Sequence, residues 1–271
     1  MISIYTTAYL INKNRFPFID SLRNYSDFLA EDDEIVIGTT QEGIEDGTLD
    51  VLHSYIEDNK LNRVKIVISD SITFSSNRFD GQIKDFALQN TRHPIKIQMD
   101  MDEIFVLSQR ERWLRVISQF NYQSSLKAVF VPSIDLYKDE RYIRKNTNLG
   151  VKWRIHKEGL KRGVWKGAEL ENGLFDTSKS DSGELLDMED NLVHSSHVAP
   201  LNLLTSENAY KLEDYIYTLH LGHLNLDYRR NINENWWKDK WKDRMLKDEN
   251  VETDLNKLQR EEVIEHNLSL V

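Results

Sequence analysis

The sequence predicts an α/β fold: a mostly parallel, Rossmann-like central sheet flanked by helices, with a C-terminal helical extension. Two patterns carry that expectation. Short β-branched runs such as Ile35-Val36-Ile37 recur along the first half of the chain, and stretches with apolar residues at helical spacing separate them. Strands that alternate with helices form parallel βαβ units. Composition agrees, since 39% hydrophobic and 30% charged residues over 271 positions match a folded globular chain. With 4 prolines and 11 glycines, no long Pro/Gly linker divides it.

Each element follows from its own pattern. Ile2 to Ala8 reads as the first strand. Phe16 to Leu29 places Phe18, Ile19, Leu22, Tyr25, Phe28 and Leu29 at helical spacing. Glu34 to Thr39 is the second strand, and Thr48 to Asp58 a helix with Leu49, Leu52, Tyr55 and Ile56 on one face. Asp46 is its expected N-cap, and Gly47 permits a tight entry. Val64 to Ser69 is the third strand, Phe79 to Asn90 the next helix, and Ile95 to Met99 the fourth strand, which runs into Asp100.

Past residue 105 the rhythm changes. Ser108 to Phe120 reads as a helix, Lys127 to Leu136 as one apolar strand, and Val151 to His156 as another. Residues 171–191 are polar and rich in Gly, Ser and Asp, which predicts a mobile loop. Residues 205–222 read as a helix. The charged tail from Asn235 to Glu265 reads as one or two amphipathic helices, with Trp236, Trp237 and Trp241 among its apolar positions. The expected layout is a main domain over 1–230, halved near 105, and a helical extension over 231–271.

Bulk charge narrows the function. A formal net charge of −10 argues against a sequence-independent nucleic-acid partner, which requires clustered Lys and Arg. An anionic ligand then calls for a bound cation. The absence of cysteine excludes disulfides, thiolate catalysis and Cys-ligated zinc. The start shows no basic and apolar leader pattern, and no apolar run reaches the roughly 18–20 residues of a bilayer span. The expectation is a cytoplasmic protein.

The strongest chemical signal is Asp100-Met101-Asp102-Glu103, at the end of the fourth strand. Ligands collect at the carboxyl ends of strands in such sheets. In an extended segment residues i and i+2 share a side. Asp100 and Asp102 would then grip one hard cation, Mg²⁺ or Mn²⁺, with coordination positions left for diphosphate oxygens. The alternative is a strand end followed by a solvated acidic turn.

Asp100-Met101-Asp102-Glu103 resembles the D-x-D-E of family-2-like glycosyltransferases of the GT-A fold. Glu34-Ile35-Val36-Ile37 followed by Glu45-Asp46-Gly47-Thr48-Leu49 is similar to their second strand and next helix start. Phe86-Ala87-Leu88-Gln89-Asn90, with Lys84 nearby, resembles the helix before their metal motif. The resemblance implies a transferase that moves a sugar from a nucleotide-diphosphate sugar to a hydroxyl acceptor, with inversion. The acceptor would be a glycan, lipid-linked or other. UDP-sugar is the first expectation and GDP-sugar the second, because Gly38-Thr39-Thr40-Gln41 lacks the base-reading Asp of many members. The implied donor contacts are Thr6, Ala8, Tyr9, Thr39, Lys84, Asp100, Met101, Arg229 and Arg230.

Two further stretches join the resemblance. His220-Leu221-Gly222-His223 looks like the H-L-G in which the His completes the metal shell; its other reading is a helix C-terminus capped by Gly. Lys152-Trp153-Arg154-Ile155-His156-Lys157 and Trp165 to Leu170 are similar to a stretch whose Glu lies near the acceptor. Glu169 is thus the first candidate for the base that takes the acceptor proton, and Asp190 of Glu189-Asp190 the second. The tail tryptophans read as core or interface anchors, a route to oligomers. Two rivals stand. A nucleotidyltransferase would use similar aspartates, but Thr6-Thr7-Ala8-Tyr9 is no Gly-rich phosphate loop. A non-catalytic interaction protein would dock through the Trp-containing tail.

Overall fold

A computed structural model describes residues 1–14, 17–73, 79–126, 128–131, 133–137, 139–144, 152–157, 164–166, 184–186, 209–211, 216–223 and 263–265. The order is β1 (Ile2–Thr7), α1 (Ile11–Asn14), α2 (Phe18–Phe28), β2 (Glu34–Thr40), α3 (Thr48–Asp58), β3 (Val64–Ser69), α4 (Phe79–Gln89), β4 (Ile95–Gln98), β5 (Glu103–Phe105) and α5 (Arg110–Tyr122). There follow β6 (Ala128–Val131), β7 (Ser133–Tyr137), β8 (Asp139–Arg144), β9 (Lys152–Lys157), β10 (Val164–Lys166), β11 (Glu184–Leu186), β12 (Ala209–Lys211), β13 (Thr218–His223) and β14 (Val263–Glu265).

The predicted α/β architecture is present: a mostly parallel central sheet flanked by helices. Its seven strands run β12-β6-β9-β4-β1-β2-β3. β1 pairs in parallel with both β2 and β4, β2 with β3, and β12 with β6. Only β9 runs antiparallel, between β4 and β6. One face carries Ile2, Ile4, Ile35, Ile37, Ile95 and Ile97 against Leu22, Phe28, Leu52, Trp113 and Phe120 of α2, α3 and α5. The other face carries Tyr5 and Val36 against Ala87 and Leu88 of α4. Isoleucine on alternate positions supplies both the β propensity and the larger core.

A five-stranded sheet, ordered β14-β8-β7-β13-β5, stands beside the acidic motif. β13 lies between β5, antiparallel, and β7, parallel. Here the structure corrects the sequence reading. The helix expected over 205–222 is replaced by β12 and β13 among the described residues. Tyr217, Leu219 and Leu221 alternate onto an apolar cluster with Val106 and Leu136, a period of two that the helical reading missed. The single strand expected over 127–136 is two, β6 and β7, in different sheets. Within the expected loop, Glu184–Leu186 pairs with Val164–Lys166; the rest of 171–191 lies outside the described residues. In the expected helical tail, Val263–Glu265 is a strand on β8, and the tryptophans lie outside the described residues.

Local chemistry explains the helix ends. Gly47, at φ +84°, is the N-cap of α3, not Asp46. The Asp46 carboxylate instead accepts the Thr48 N–H at 3.0 Å and the Thr48 hydroxyl at 2.5 Å. The carbonyls closing α2 are met by two guanidinium groups, Arg110 on Phe28 at 2.7 Å and Arg63 on Ala30 at 2.9 Å. Among the described residues, no helix is long and apolar enough to cross a membrane.

Candidate functional site

The carboxyl ends of β1, β2 and β4 open on one side of the sheet, where the parallel topology gathers ligands. Thr6 and Thr39 are buried there, and neither hydroxyl has a hydrogen-bond partner among the described residues. The Ala8 N–H donates to the Gly38 carbonyl at 2.9 Å, which ties the end of β1 to β2. Tyr9 packs with Ile72 and Ile83, its ring beside Gly43.

The acidic motif is a β-turn. The Glu103 N–H donates to the Asp100 carbonyl at 3.0 Å, so Asp100 leaves β4 while Glu103 opens β5. This corrects the extended reading of the segment's backbone. Asp100 Oδ1 lies 3.0 Å from Lys84 Nζ of α4 and accepts from the Gln98 amide at 2.8 Å. Its other oxygen lies 4.0 Å from the Arg154 guanidinium of β9. The Asp102 Oδ2 lies 3.1 Å from His220 Nε2.

Tertiary structure makes that second contact, because the two residues are 118 positions apart. β13 aligns His220 with Glu103 on β5, and the Leu221 N–H donates to the Asp102 carbonyl at 2.6 Å. His220 therefore stands on a strand, and its reading as a helix C-terminus is overturned. Met101, between the two aspartates, is buried in the main core. Among the described residues no three His, Asp or Glu side chains form a ready-made metal cluster.

Beneath the turn lies a buried ion pair that the sequence reading left unassigned. Arg154 and Glu103 are both fully buried and joined through Arg154 Nη2 and Glu103 Oε1. Arg154 Nη1 also donates to the Gln98 side chain at 2.6 Å and to its carbonyl at 3.1 Å. Glu103 further accepts from the Ser133 hydroxyl at 3.1 Å and from the Asp100 N–H at 3.2 Å. Arg154 between the apolar Trp153 and Ile155 was the available signal, since buried charges need partners. Glu169, Asp190, Arg229 and Arg230 lie outside the described residues.

Neither a protein-family model nor a curated protein matches this sequence. Solved structures of similar fold do exist. One is TarS 1–349 of S. aureus, 13% identical, with a TM-score of 0.46 over 82% of this chain and 60% of that one. A second, the mannosyltransferase PcManGT from Pyrobaculum calidifontis in complex with GDP-Man and Mn²⁺, is 17% identical, with a TM-score of 0.37 over 48% of this chain and 34% of that one. A third, HddC from Yersinia pseudotuberculosis, is 12% identical, with a TM-score of 0.43 over 86% of this chain and 99% of that one. This chain spans less than two thirds of the first two.

Proposed function

We propose that this chain is a metal-dependent glycosyltransferase that moves a sugar from a nucleotide-diphosphate sugar to a hydroxyl acceptor. One observation carries the reading. Asp102 and His220, far apart in sequence, meet at 3.1 Å beside a carboxylate that Lys84 already neutralises. Lys84 lies beside Asp100, and the imidazole of His220 beside Asp102. One carboxylate oxygen and one imidazole nitrogen fit a Mn²⁺ or Mg²⁺ ion that keeps the rest of its shell for water and diphosphate.

The residues divide the work as follows. Asp102 and His220 would hold the ion, and Asp100 would complete the shell directly or through water. When bound, the ion supplies the positive charge that stabilises a leaving diphosphate. Thr6, Ala8, Tyr9 and Thr39, at the ends of β1 and β2, line the side where the nucleoside would lie. Arg229 and Arg230 are proposed to neutralise the diphosphate further, and either Glu169 or Asp190 to accept the acceptor proton as the anomeric centre inverts. We assign residues 1–105 to donor binding and 106–230 to the acceptor side.

Calorimetry with UDP and GDP, each with and without Mn²⁺, tests the core of this reading. Asp102→Asn is expected to abolish the Mn²⁺-dependent part of nucleotide affinity. His220→Ala should weaken it less, because water replaces the imidazole. Full Mn²⁺-dependent affinity in both variants overturns the assignment. Pyrophosphate release from a nucleoside triphosphate would move the reading to a nucleotidyltransferase. Product stereochemistry then decides the base: inversion, with a rate loss of about 10²–10⁴-fold in either Glu169→Gln or Asp190→Asn, identifies it.

A further inference from the structure

Helix α2 reaches the acidic turn with three polar side chains on one face. Ser21 and Tyr25 are four residues apart and therefore stack along the helix. The Ser21 hydroxyl donates to the Met101 carbonyl at 2.8 Å. Asn24 brackets the far end: its amide donates to the Phe105 carbonyl at 2.9 Å, and its carbonyl accepts the Phe105 N–H at 2.7 Å. Between them the Tyr25 phenol lies 2.6 Å from the Asp100 carbonyl and 2.8 Å from the Glu103 carbonyl. One phenolic proton is thus shared by the two carbonyls that begin and end the turn.

That contact is fixed from behind and by charge. The Tyr25 ring is fully buried and meets Phe105 edge-on at 5.9 Å. Burial, then the nearby carboxylates of Glu103, Asp100 and Asp102, hold its pKa well above the ordinary tyrosine value, so the group remains a donor at neutral pH. The direction in which Asp102 points depends on the backbone on either side of it.

We propose that Tyr25 is a positioning residue: its shared hydrogen bond holds the 100–103 turn in the form that brings Asp102 to His220. Ser21 and Asn24 second it from the same helix. The consequence for ligands rests on the metal-site reading above; the clamp itself does not.

The test uses the full chain without metal first. Hydrogen exchange is followed at residues 99–105 and, as a reference, at β2. Tyr25→Phe keeps the ring and removes the donor. It is expected to speed exchange at 99–105 by about tenfold and leave β2 unchanged, as loss of one buried hydrogen bond opens a local segment. Ser21→Ala should act at the same place to a smaller degree. Leu52→Ala in α3, whose apolar side chain makes no hydrogen bond to the turn, serves as a destabilised control and should speed both segments together. Calorimetry with Mn²⁺ and UDP follows: Tyr25→Phe should lose about tenfold in metal-dependent affinity, with metal-free affinity unchanged, whereas Leu52→Ala should keep both. Unchanged exchange at 99–105 in Tyr25→Phe, or equal acceleration in both segments, overturns the proposal. A local change in exchange, in a protein that shows no Mn²⁺-dependent nucleotide binding, supports the clamp and defeats the functional reading instead.

Discussion

Arg154 shows at residue scale why the acidic turn is costly to disturb. Its guanidinium and the Glu103 carboxylate are removed from water together, and each is the other's principal compensation. Taking away one partner leaves a buried charge alone. Arg154→Met is therefore expected to lower unfolding free energy by about 3–5 kcal/mol, measured by urea denaturation. Adding Glu103→Leu to it should return part of that loss, because no orphan charge remains; a strictly additive double variant would contradict the pairing. Tyr25 has a pH signature of its own. Its folded pKa is raised, so its contribution is complete below the unfolded value of about 10 and fades as pH climbs towards the folded value. Wild-type protein should thus lose thermal stability above about pH 10 more steeply than Tyr25→Phe. Parallel melting curves from pH 9 to 11 would count against the buried donor.

At the scale of elements, α4 couples the sheet to the site. Its Ala87 sits so close to β2 that a Cβ built on Gly38 would stand 2.8 Å from the Ala87 Cβ and 3.1 Å from the Ile83 carbonyl. Neither atom ends a flexible chain, so a side chain there must lift the helix. Lys84, on that helix, would lift away from Asp100 as well. Gly38→Ala should cost about 1–3 kcal/mol of stability by overpacking. Nucleotide affinity should fall with it; a stable Gly38→Ala protein with unaltered affinity would show that α4 and the turn are uncoupled. The α3 entry makes a contrasting case. A Cβ built on Gly47 would meet only the Asn12 amide, at 3.7 Å, but the φ of Gly47 is positive. Gly47→Ala is expected to cost about 1–2 kcal/mol from backbone strain alone and to leave nucleotide binding unchanged.

At the scale of the whole molecule, the turn joins two sheets. β4 belongs to the seven-stranded sheet and β5 to the five-stranded one, so four residues carry the crossing. An aromatic group anchors it. Phe28 of α2 stacks on Phe105 of β5 at 3.9 Å, and Trp113 of α5 meets Phe105 edge-on at 4.9 Å. Such geometry adds to the area that the rings bury. Trp113→Ala should lower stability by about 3–5 kcal/mol, in a single cooperative denaturation transition. Two separate transitions would show that the sheets fold independently.

The sequence by itself located the main strands and helices described within the first hundred residues. Their strands and helices carry unambiguous periods, two for Ile2-Ser3-Ile4 and near four for Leu22, Tyr25 and Leu29, and local period is enough to fix local structure. It also exposed Asp100 and Asp102, because paired carboxylates at a strand end are conspicuous, and the family resemblance added Lys84 and His220. What it could not determine was their partnership. Asp100 and Asp102 read as an extended pair, whereas they stand on a turn, with Lys84 beside the first and His220 beside the second. The 205–222 stretch failed for a related reason: its alternation is short, and the neighbours that make it a strand, β5 and β7, come from distant sequence. Pairing across more than a hundred residues is a property of the closed sheet. Only tertiary structure decides which imidazole meets which carboxylate, and which tyrosine holds the backbone between them.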